Sequence, residues 1–266
     1  MSIKDPVDSW QSGTNYDRFM GRWSRLVAEE FLSWLPVPEN GAWLDVGCGT
    51  CVLSDLVLQL KRPKEIVAVD ASPEFIAFVT NAISDPRLRL EVASAENIPA
   101  EPDTFDAAVS GLALNFMGQP EKVVAEMRRV TKSGGIVAVY VWDYAEGMEM
   151  LRYFWDAAVA LDESAASLDE GMRFPLCREA EIQKLFQNNE LVDIQFRGIE
   201  VSTVFAGFED YWQPFLGGVG PAPGYVQGLN TAEREALKAR LQSTLPKSDD
   251  GSIMLKARAW AIKSKV

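Results

Sequence analysis

The sequence contains no histidine. That removes the usual general base, the usual activator of a nucleophile and the commonest zinc ligand. Serine and cysteine hydrolase triads that depend on imidazole are excluded, so any chemistry must run on carboxylates, Tyr, Lys or Cys. Cysteine is nearly as scarce: Cys48, Cys51 and Cys177 are the only three. An odd, low count argues against a disulfide framework and fits a reducing cytoplasm. With no second cysteine pair to complete a ligand set, no metal is expected. Positive charge is also short, with 26 Lys and Arg against 38 Asp and Glu and a net charge of −12. An acidic surface repels phosphate backbones, so nucleic acid is not an expected partner. The small basic cluster Arg128, Arg129 and Lys132 reads as a solvated helix end. No apolar run reaches the roughly 18 residues that suggest a transmembrane helix. Met1-Ser2-Ile3-Lys4-Asp5-Pro6 lacks the basic-then-apolar pattern of a secretory signal. Neither membrane nor export is expected.

What is present is a chain of 266 residues, 47% apolar and 24% charged, values ordinary for a globular protein with a real core. Trp23–Leu35 has an amphipathic helical period, with Leu26, Val27, Phe31, Leu32 and Leu35 on one side, and Pro36 and Pro38 end it. Ala42–Val46 is a short apolar strand closed by Gly47. Val52–Leu60 reads as a helix and Glu65–Val69, ending in Asp70, as a strand. Ser72 is a helix N-cap with Pro73 at the first helical position, for a helix running to about Ile83. Strands follow at Leu88–Ala93, Phe105–Ser110 and Ile136–Trp142, with a helix at Glu121–Val130. Apolar strands alternating with helices predict a parallel sheet covered on both faces.

Beyond residue 142 the pattern changes. Residues 144–175 read as helical, Arg178–Asn188 as a helix, Leu191–Val204 as one or two strands, and the Gly/Pro-rich stretch 214–228 as a loop. Thr231–Leu241 reads as a helix capped at Thr231, and Ile253–Ile262 as a final strand. The expected fold is α/β: a Rossmann-like, doubly wound, mostly parallel seven-stranded sheet with an inserted helical lid. The boundaries run as residues 1–40 for an N-terminal cap segment, 41–143 for the ligand-binding core, 144–230 for the lid with part of the core, and 231–266 for the closing helix and strand.

Chemistry concentrates at Asp45-Val46-Gly47-Cys48-Gly49-Thr50-Cys51. Glycines between a strand and a helix let the backbone turn sharply and approach a ligand, while the next helix aims its N–H groups at it. Asp70, at the end of the next strand, is placed to accept both hydroxyls of a ribose. A dinucleotide fingerprint wants glycine at position 52, and Val52 stands there; the loop therefore prefers a nucleoside without a pyrophosphate. Cys48-Gly49-Thr50-Cys51 also reads formally as a C-x-x-C redox pair, set against two small loop residues.

Trp43–Thr50 resembles motif I of class I S-adenosylmethionine methyltransferases, and further segments match in order over about residues 10–142. Val69-Asp70-Ala71-Ser72-Pro73 resembles the acidic ribose loop, and Ala95-Glu96-Asn97-Ile98-Pro99 the adenine loop. Phe105–Ser110 resembles the fourth strand, opening toward the methyl site, and Ser133-Gly134-Gly135 the turn before the fifth. Tyr16–Trp23 resembles an N-terminal cofactor-capping segment. The likeness is greatest to the bacterial small-molecule branch, of the ubiquinone/menaquinone-biosynthesis type. The resemblance implies S-adenosylmethionine as cofactor, S-adenosylhomocysteine as its product, and no metal. By the same resemblance Asp45, Gly47 and Gly49, with Cys48 between them, hold the methionine part. Asp70 holds the ribose, Ala71 lies beside the adenine, and Ser94, Ala95 and Glu96 flank its edge. Ser110 and Leu112 line the sulfonium side, and Tyr16 and Arg22 cap the ligand. Three positions depart from the pattern. Cys51 replaces a usual glycine and narrows the pocket mouth. Ser94 replaces an aspartate that bonds the adenine amine, and Asn115 replaces a frequent histidine.

The acceptor side is set by fewer signals. Tyr153, Phe154, Trp155, Phe205, Phe208, Tyr211, Trp212 and Phe215 cluster in the second half; singly each suits core packing, and together they suit an apolar or aromatic acceptor. Asn115, Trp142, Tyr153 and Trp212 are the candidate acceptor contacts. Asp143, Glu209 and Tyr211 are candidate bases, each also readable as a cap or surface group. The expected partner is a small molecule, with the chain a monomer or homodimer in the cytoplasm. A non-catalytic nucleoside binder and a nicotinamide oxidoreductase remain open beside methyl transfer to O, N or C. Val52 and the lack of a Tyr-x-x-x-Lys argue against the oxidoreductase.

Overall fold

The computed structural model describes residues 21–217 and 220–266, without the Arg22 side chain. Seven strands form one sheet: β1 (Ala42–Val46), β2 (Glu65–Asp70), β3 (Leu88–Val92), β4 (Phe105–Gly111), β5 (Thr131–Trp142), β6 (Val192–Phe205) and β7 (Ile253–Lys265). Their order is β3-β2-β1-β4-β5-β7-β6. The pairs β1–β2, β2–β3, β1–β4 and β4–β5 are parallel, and β7 lies antiparallel on β5. This is the doubly wound, mostly parallel sheet the alternating pattern predicts. The order reverses at β1, where β2 pairs on one side and β4 on the other. A ligand crevice opens at such a point, outside the strands' carboxyl ends.

The strands are apolar because helices cover both faces. All five residues of β1 are buried, as are Ile66–Val69 of β2 and Ala107–Ser110 of β4. Each fully buried Val, Leu or Phe contributes about 1.5–3 kcal/mol through the hydrophobic effect. The helices in this half are α1 (Arg22–Trp34), α2 (Val52–Leu60), α3 (Pro73–Ala82) and α4 (Pro120–Val130). Ser72 caps α3 as expected: Phe75 N donates to Ser72 Oγ at 3.2 Å, and Pro73 opens the helix.

Contacts divide the chain into two interleaved units. One comprises Ser24–Trp142, Leu176–Ile199 and Ala259–Val266 and carries most of the sheet together with α7 (Glu179–Asn188). The other comprises, among the described residues, 21–23, Asp143–Pro175 and Glu200–Arg258. It is mainly helical, with α5 (Glu149–Val159), α6 (Glu170–Arg173), α8 (Phe208–Trp212), α9 (Pro221–Gly228) and α10 (Thr231–Thr244).

Two features of this second unit differ from expectation. The stretch 214–228 is not a loop: a 3-10 turn at Gln213–Leu216 leads to α9, which begins at Pro221, where a fixed φ suits the first helical turn. The cap of α10 is Asn230 rather than Thr231. Asn230 N donates to Glu233 Oε2 and Glu233 N to Asn230 Oδ1, a reciprocal box that Thr231 would have placed one residue late. Residues 144–175 are helical as expected, divided into α5, a 3-10 turn and α6.

Its core is aromatic. Phe154 stacks on Phe215 at 4.5 Å, Trp212 lies parallel to Phe208 at 6.4 Å, and Phe205 meets Tyr211 edge-on. Most of the aromatic residues singled out in the sequence are therefore spent on one another.

Candidate functional site

The crevice is built from the loops that follow β1, β2, β3 and β4. After β1 the chain takes positive φ at Gly47 (72°), Gly49 (51°) and Cys51 (60°). Left-handed backbone costs a glycine little and a side-chain residue about 1–2 kcal/mol. The loop is tied to β2 by Gly47 N and Cys48 N, which both donate to Val69 O, at 2.9 and 3.1 Å. Gly47 also faces the segment after β4: a Cβ there would lie 2.6 Å from Met117 Cε and 2.8 Å from Ala113 Cβ. No atom lies within 4 Å of the equivalent point on Gly49.

Asp70 connects the two loops. Gly49 N donates to Asp70 Oδ2 at 2.9 Å and Ser72 N to Asp70 Oδ1 at 2.9 Å. Each carboxylate oxygen thus holds one backbone donor and keeps a second lone-pair site for a ligand hydroxyl. Ala71 beside it is exposed. Asp45 is buried at the end of β1 and accepts a 2.7 Å hydrogen bond from Ser54 Oγ on α2. Burial, reinforced by the Asp70 charge and opposed by the Ser54 bond, raises its pKa to about 7.

Cys51 corrects an expectation. Its side chain does not narrow a pocket mouth; it is fully buried and packs with Cys48, Ala68 and Val79. The left-handed backbone turns Cβ inward, where a small thiol fits. The Cys51 contact, followed by burial, pushes the Cys48 thiol well above its ordinary range. With its thiol held protonated, Cys48 is a poor nucleophile, which disfavours the C-x-x-C redox reading.

After β3, Ser94 is exposed and its Oγ accepts from Glu96 N at 3.2 Å, so it shapes the turn. Ala95 and Glu96 are half-buried. Glu96 Oε2 accepts from Gln119 Nε2 at 3.1 Å, joining this loop to the segment after β4. In that segment Leu112 takes a positive φ of 57°, with its N–H donating to Tyr140 O at 2.8 Å. A non-glycine residue held there marks a locally over-determined site. Ser110 Oγ and both polar atoms of the Asn115 side chain are buried without a hydrogen-bond partner among the described residues. Asn115 lies in the 3-10 turn Leu114–Phe116, between the two residues that press on Gly47. Buried polar groups in native proteins are nearly always paired, so orphans at a crevice suit a missing ligand. Together with the free lone pairs on Asp70, they fit a polar nucleoside.

Trp142 is buried in β5, Trp212 is buried in the aromatic core, and Tyr153 is half-buried on α5. Arg22 opens α1, and Tyr16 lies outside the described residues. The three candidate bases are engaged. Asp143 is buried and receives Arg258 Nη2 at 2.5 Å and Nε at 2.8 Å, and Glu209 pairs with Lys238 at 2.9 Å. Tyr211 Oη donates to Met150 O at 2.8 Å, and its phenol is held well above its usual pKa by burial. Sequence reasoning did not single out Ser54, Met117 or Gln119, because each meets a partner on another element and no local motif marks it.

Part of the chain is similar to known proteins. Residues 44–139 match the methyltransferase domain family. Over that segment, which runs from β1 into β5, the chain resembles a methyltransferase domain. The chain is 31% identical over 123 residues to the malonyl-[acyl-carrier protein] O-methyltransferase of Pectobacterium atrosepticum, covering 46% of this chain and 47% of that protein. It is 32% identical over 125 residues to the ubiquinone/menaquinone biosynthesis C-methyltransferase of Geobacter sp. strain M21, covering 44% and 51%. The matched region thus spans about half the length of these relatives. In fold it resembles phosphoethanolamine N-methyltransferase 2 of Haemonchus contortus, solved with S-adenosyl-L-methionine. The TM-score is 0.60 at 16% identity, over 100% of this chain and 60% of that one. Among the described residues no helix is long and apolar enough to cross a membrane.

Proposed function

We propose that this chain binds S-adenosylmethionine in the crevice between the glycine loop and Asp70 and transfers its methyl group to O, N or C of a small apolar or aromatic molecule. The observation that carries this reading is the Asp70 carboxylate, hydrogen-bonded to Gly49 N and Ser72 N within a methyltransferase domain. Asp45, Gly47, Cys48 and Gly49 would hold the methionine part. Asp70 would hold the ribose, Ala71, Ser94, Ala95 and Glu96 would surround the adenine, and Ser110 and Leu112 would face the sulfonium. The bound sulfonium supplies a methyl group already activated for transfer. The chain's task is then to align the acceptor and exclude water, which needs no histidine. Residues 144–230 would select the acceptor, and no metal is required. We place the protein in the cytoplasm as a monomer or homodimer.

Calorimetric titration with S-adenosylmethionine, S-adenosylhomocysteine and NAD(H), on wild type and Asp70→Ala, tests the reading. Binding of the two sulfur ligands, lost in the variant, is the expected result. Binding of NAD(H) alone overturns it in favour of an oxidoreductase. Binding of the sulfur ligands with no methylation across an acceptor panel favours a non-catalytic nucleoside binder.

A further inference from the structure

β3 is the end strand of the sheet, and among the described residues no strand pairs with its outer edge. Its parallel ladder with β2 uses alternate residues. Ile66 N donates to Arg87 O and Ala93 N to Asp70 O, so residues 87, 89, 91 and 93 turn their backbone toward β2. Leu88, Leu90 and Val92 turn theirs outward. Leu88 N is taken by Asp85 O at 3.0 Å, which leaves Leu88 O and both backbone groups of Leu90 and Val92 along the open edge. The strand has none of the proline, lysine or bulge that commonly blunts an edge. Its flank is apolar as well. Leu88 and Leu90 pack with Ile76 of α3 against Ala68 and Val79. Val92 beside them is 53% exposed and Phe78 of α3 is 42% exposed. Of the apolar residues of α3 only Val79 is buried.

The residues of this edge are complementary to themselves. Read from either end, Leu88-Arg89-Leu90-Glu91-Val92 runs apolar, charged, apolar, charged, apolar, with opposite charges at the two charged places. We propose that two copies of this chain join β3 to β3, antiparallel about Leu90, into one continuous sheet. Leu90 and the partner's Leu90 exchange their outward N–H and C=O groups. Val92 N donates to the partner's Leu88 O, and the same bond repeats across the two-fold. Arg89 then lies opposite the partner's Glu91 at a non-hydrogen-bonded position, where cross-strand side chains come closest. Within one chain Arg89 Nη1 already reaches Glu91 Oε1 at 2.8 Å, so the seam carries four charges of alternating sign. They select the register: a slip of two residues sets Glu91 against Glu91, or Arg89 against Arg89. On the other face of the sheet, the exposed Val92 and Phe78 flank the seam. The contact is isologous and closes at two chains, which leaves neither β3 edge open. It needs no ligand and is independent of methyl transfer.

The test is sedimentation velocity across a concentration series on the full chain. Wild type is compared with Arg89→Glu, with Glu91→Arg, with both changes in one chain, and with an equimolar mixture of the two single variants. Thermal melting of each protein is followed in parallel. Wild type should sediment as a dimer at the upper concentrations. Each single reversal sets like charges opposite each other at both ends of the seam and should weaken the dimer by roughly ten-fold or more. The mixture should recover a dimer, because every Glu then faces an Arg, and so should the chain carrying both changes. Should either single variant melt well below wild type, the doubly changed chain decides, a dimer supporting the seam and a monomer overturning it. A wild type that stays monomeric throughout overturns the proposal. So does a dimer that neither single reversal weakens, or a mixture that stays monomeric while both variants melt like wild type.

Discussion

Asp70 Oδ2 accepts a 2.9 Å hydrogen bond from Gly49 N, so the acid proposed to hold the ribose also holds the glycine loop in place. Ligand contact and loop geometry are therefore one property. Asp70→Ala should weaken S-adenosylhomocysteine binding by roughly 10–100-fold, because hydrogen bonds to a charged group are lost on both sides. Asp70→Asn keeps one acceptor oxygen and should lie between the two. Calorimetry on the three proteins measures this, and equal affinities would refute the assignment.

The two loop glycines should respond differently to alanine. At Gly47 the new methyl meets Met117 and Ala113 at 2.6 and 2.8 Å, in addition to a φ of 72°. At Gly49 only the φ of 51° is at issue, with open space around the Cβ. Gly49→Ala should cost about 1 kcal/mol of stability, and Gly47→Ala about 2–3 kcal/mol together with most of the ligand affinity. Chemical denaturation separates the pair. Equal losses would mean that the turn after β4 yields freely.

Two buried carboxyl groups give stability an unusual pH dependence. Asp45 is raised to about 7 by burial, with the Asp70 charge adding to it and Ser54 opposing. Glu170 is raised to about 7 by burial against its Trp155 hydrogen bond, with the Asp169 charge adding and Arg152 opposing. Each folded-state value lies above the unfolded one, so the folded chain holds the proton more tightly. Their contribution is full below about pH 4 and declines as pH rises through about 7. At 1.36 kcal/mol per unit the shift corresponds to about 4 kcal/mol for Asp45 and about 3 kcal/mol for Glu170. Denaturation midpoints of Asp45→Asn and Glu170→Gln, measured relative to wild type, should improve between pH 4 and pH 8. A constant difference across that range would show that the groups ionise normally.

Asp143 should behave as a structural acid. It is buried and carries a paired Arg258 guanidinium that is partly open to solvent. Asp143→Ala should lower stability by about 2 kcal/mol, less than for a fully buried pair because water can reach Arg258. A variant that melts like wild type but has lost turnover would instead identify Asp143 as a base.

The parallel sheet was legible in the sequence because burial on both faces leaves near-continuous apolar strands, as at Ala42–Val46 and Glu65–Asp70. The candidate site follows from the same features: Asp45, Gly47, Gly49 and Asp70 lie at or just past strand ends, where motif and topology coincide. What was not legible depends on contacts distant along the chain. The inward turn of Cys51 follows from a left-handed φ that an L-residue rarely takes. The engagement of Asp143 by Arg258 spans more than a hundred residues. The α9 helix was hidden by a composition of Pro and Gly that ordinarily means a loop, and its packing overrode that local preference.

β7 is the last of the seven strands in the chain, yet in the sheet it stands between β5 and β6. During synthesis the five parallel strands must wait, with the outer backbone of β5 unsatisfied, until the chain passes residue 253. A message truncated before that point yields a nascent protein with an open, strand-templating edge. Such an edge is what chaperones and proteases recognise, so that side of the sheet is protected only once β7 has emerged.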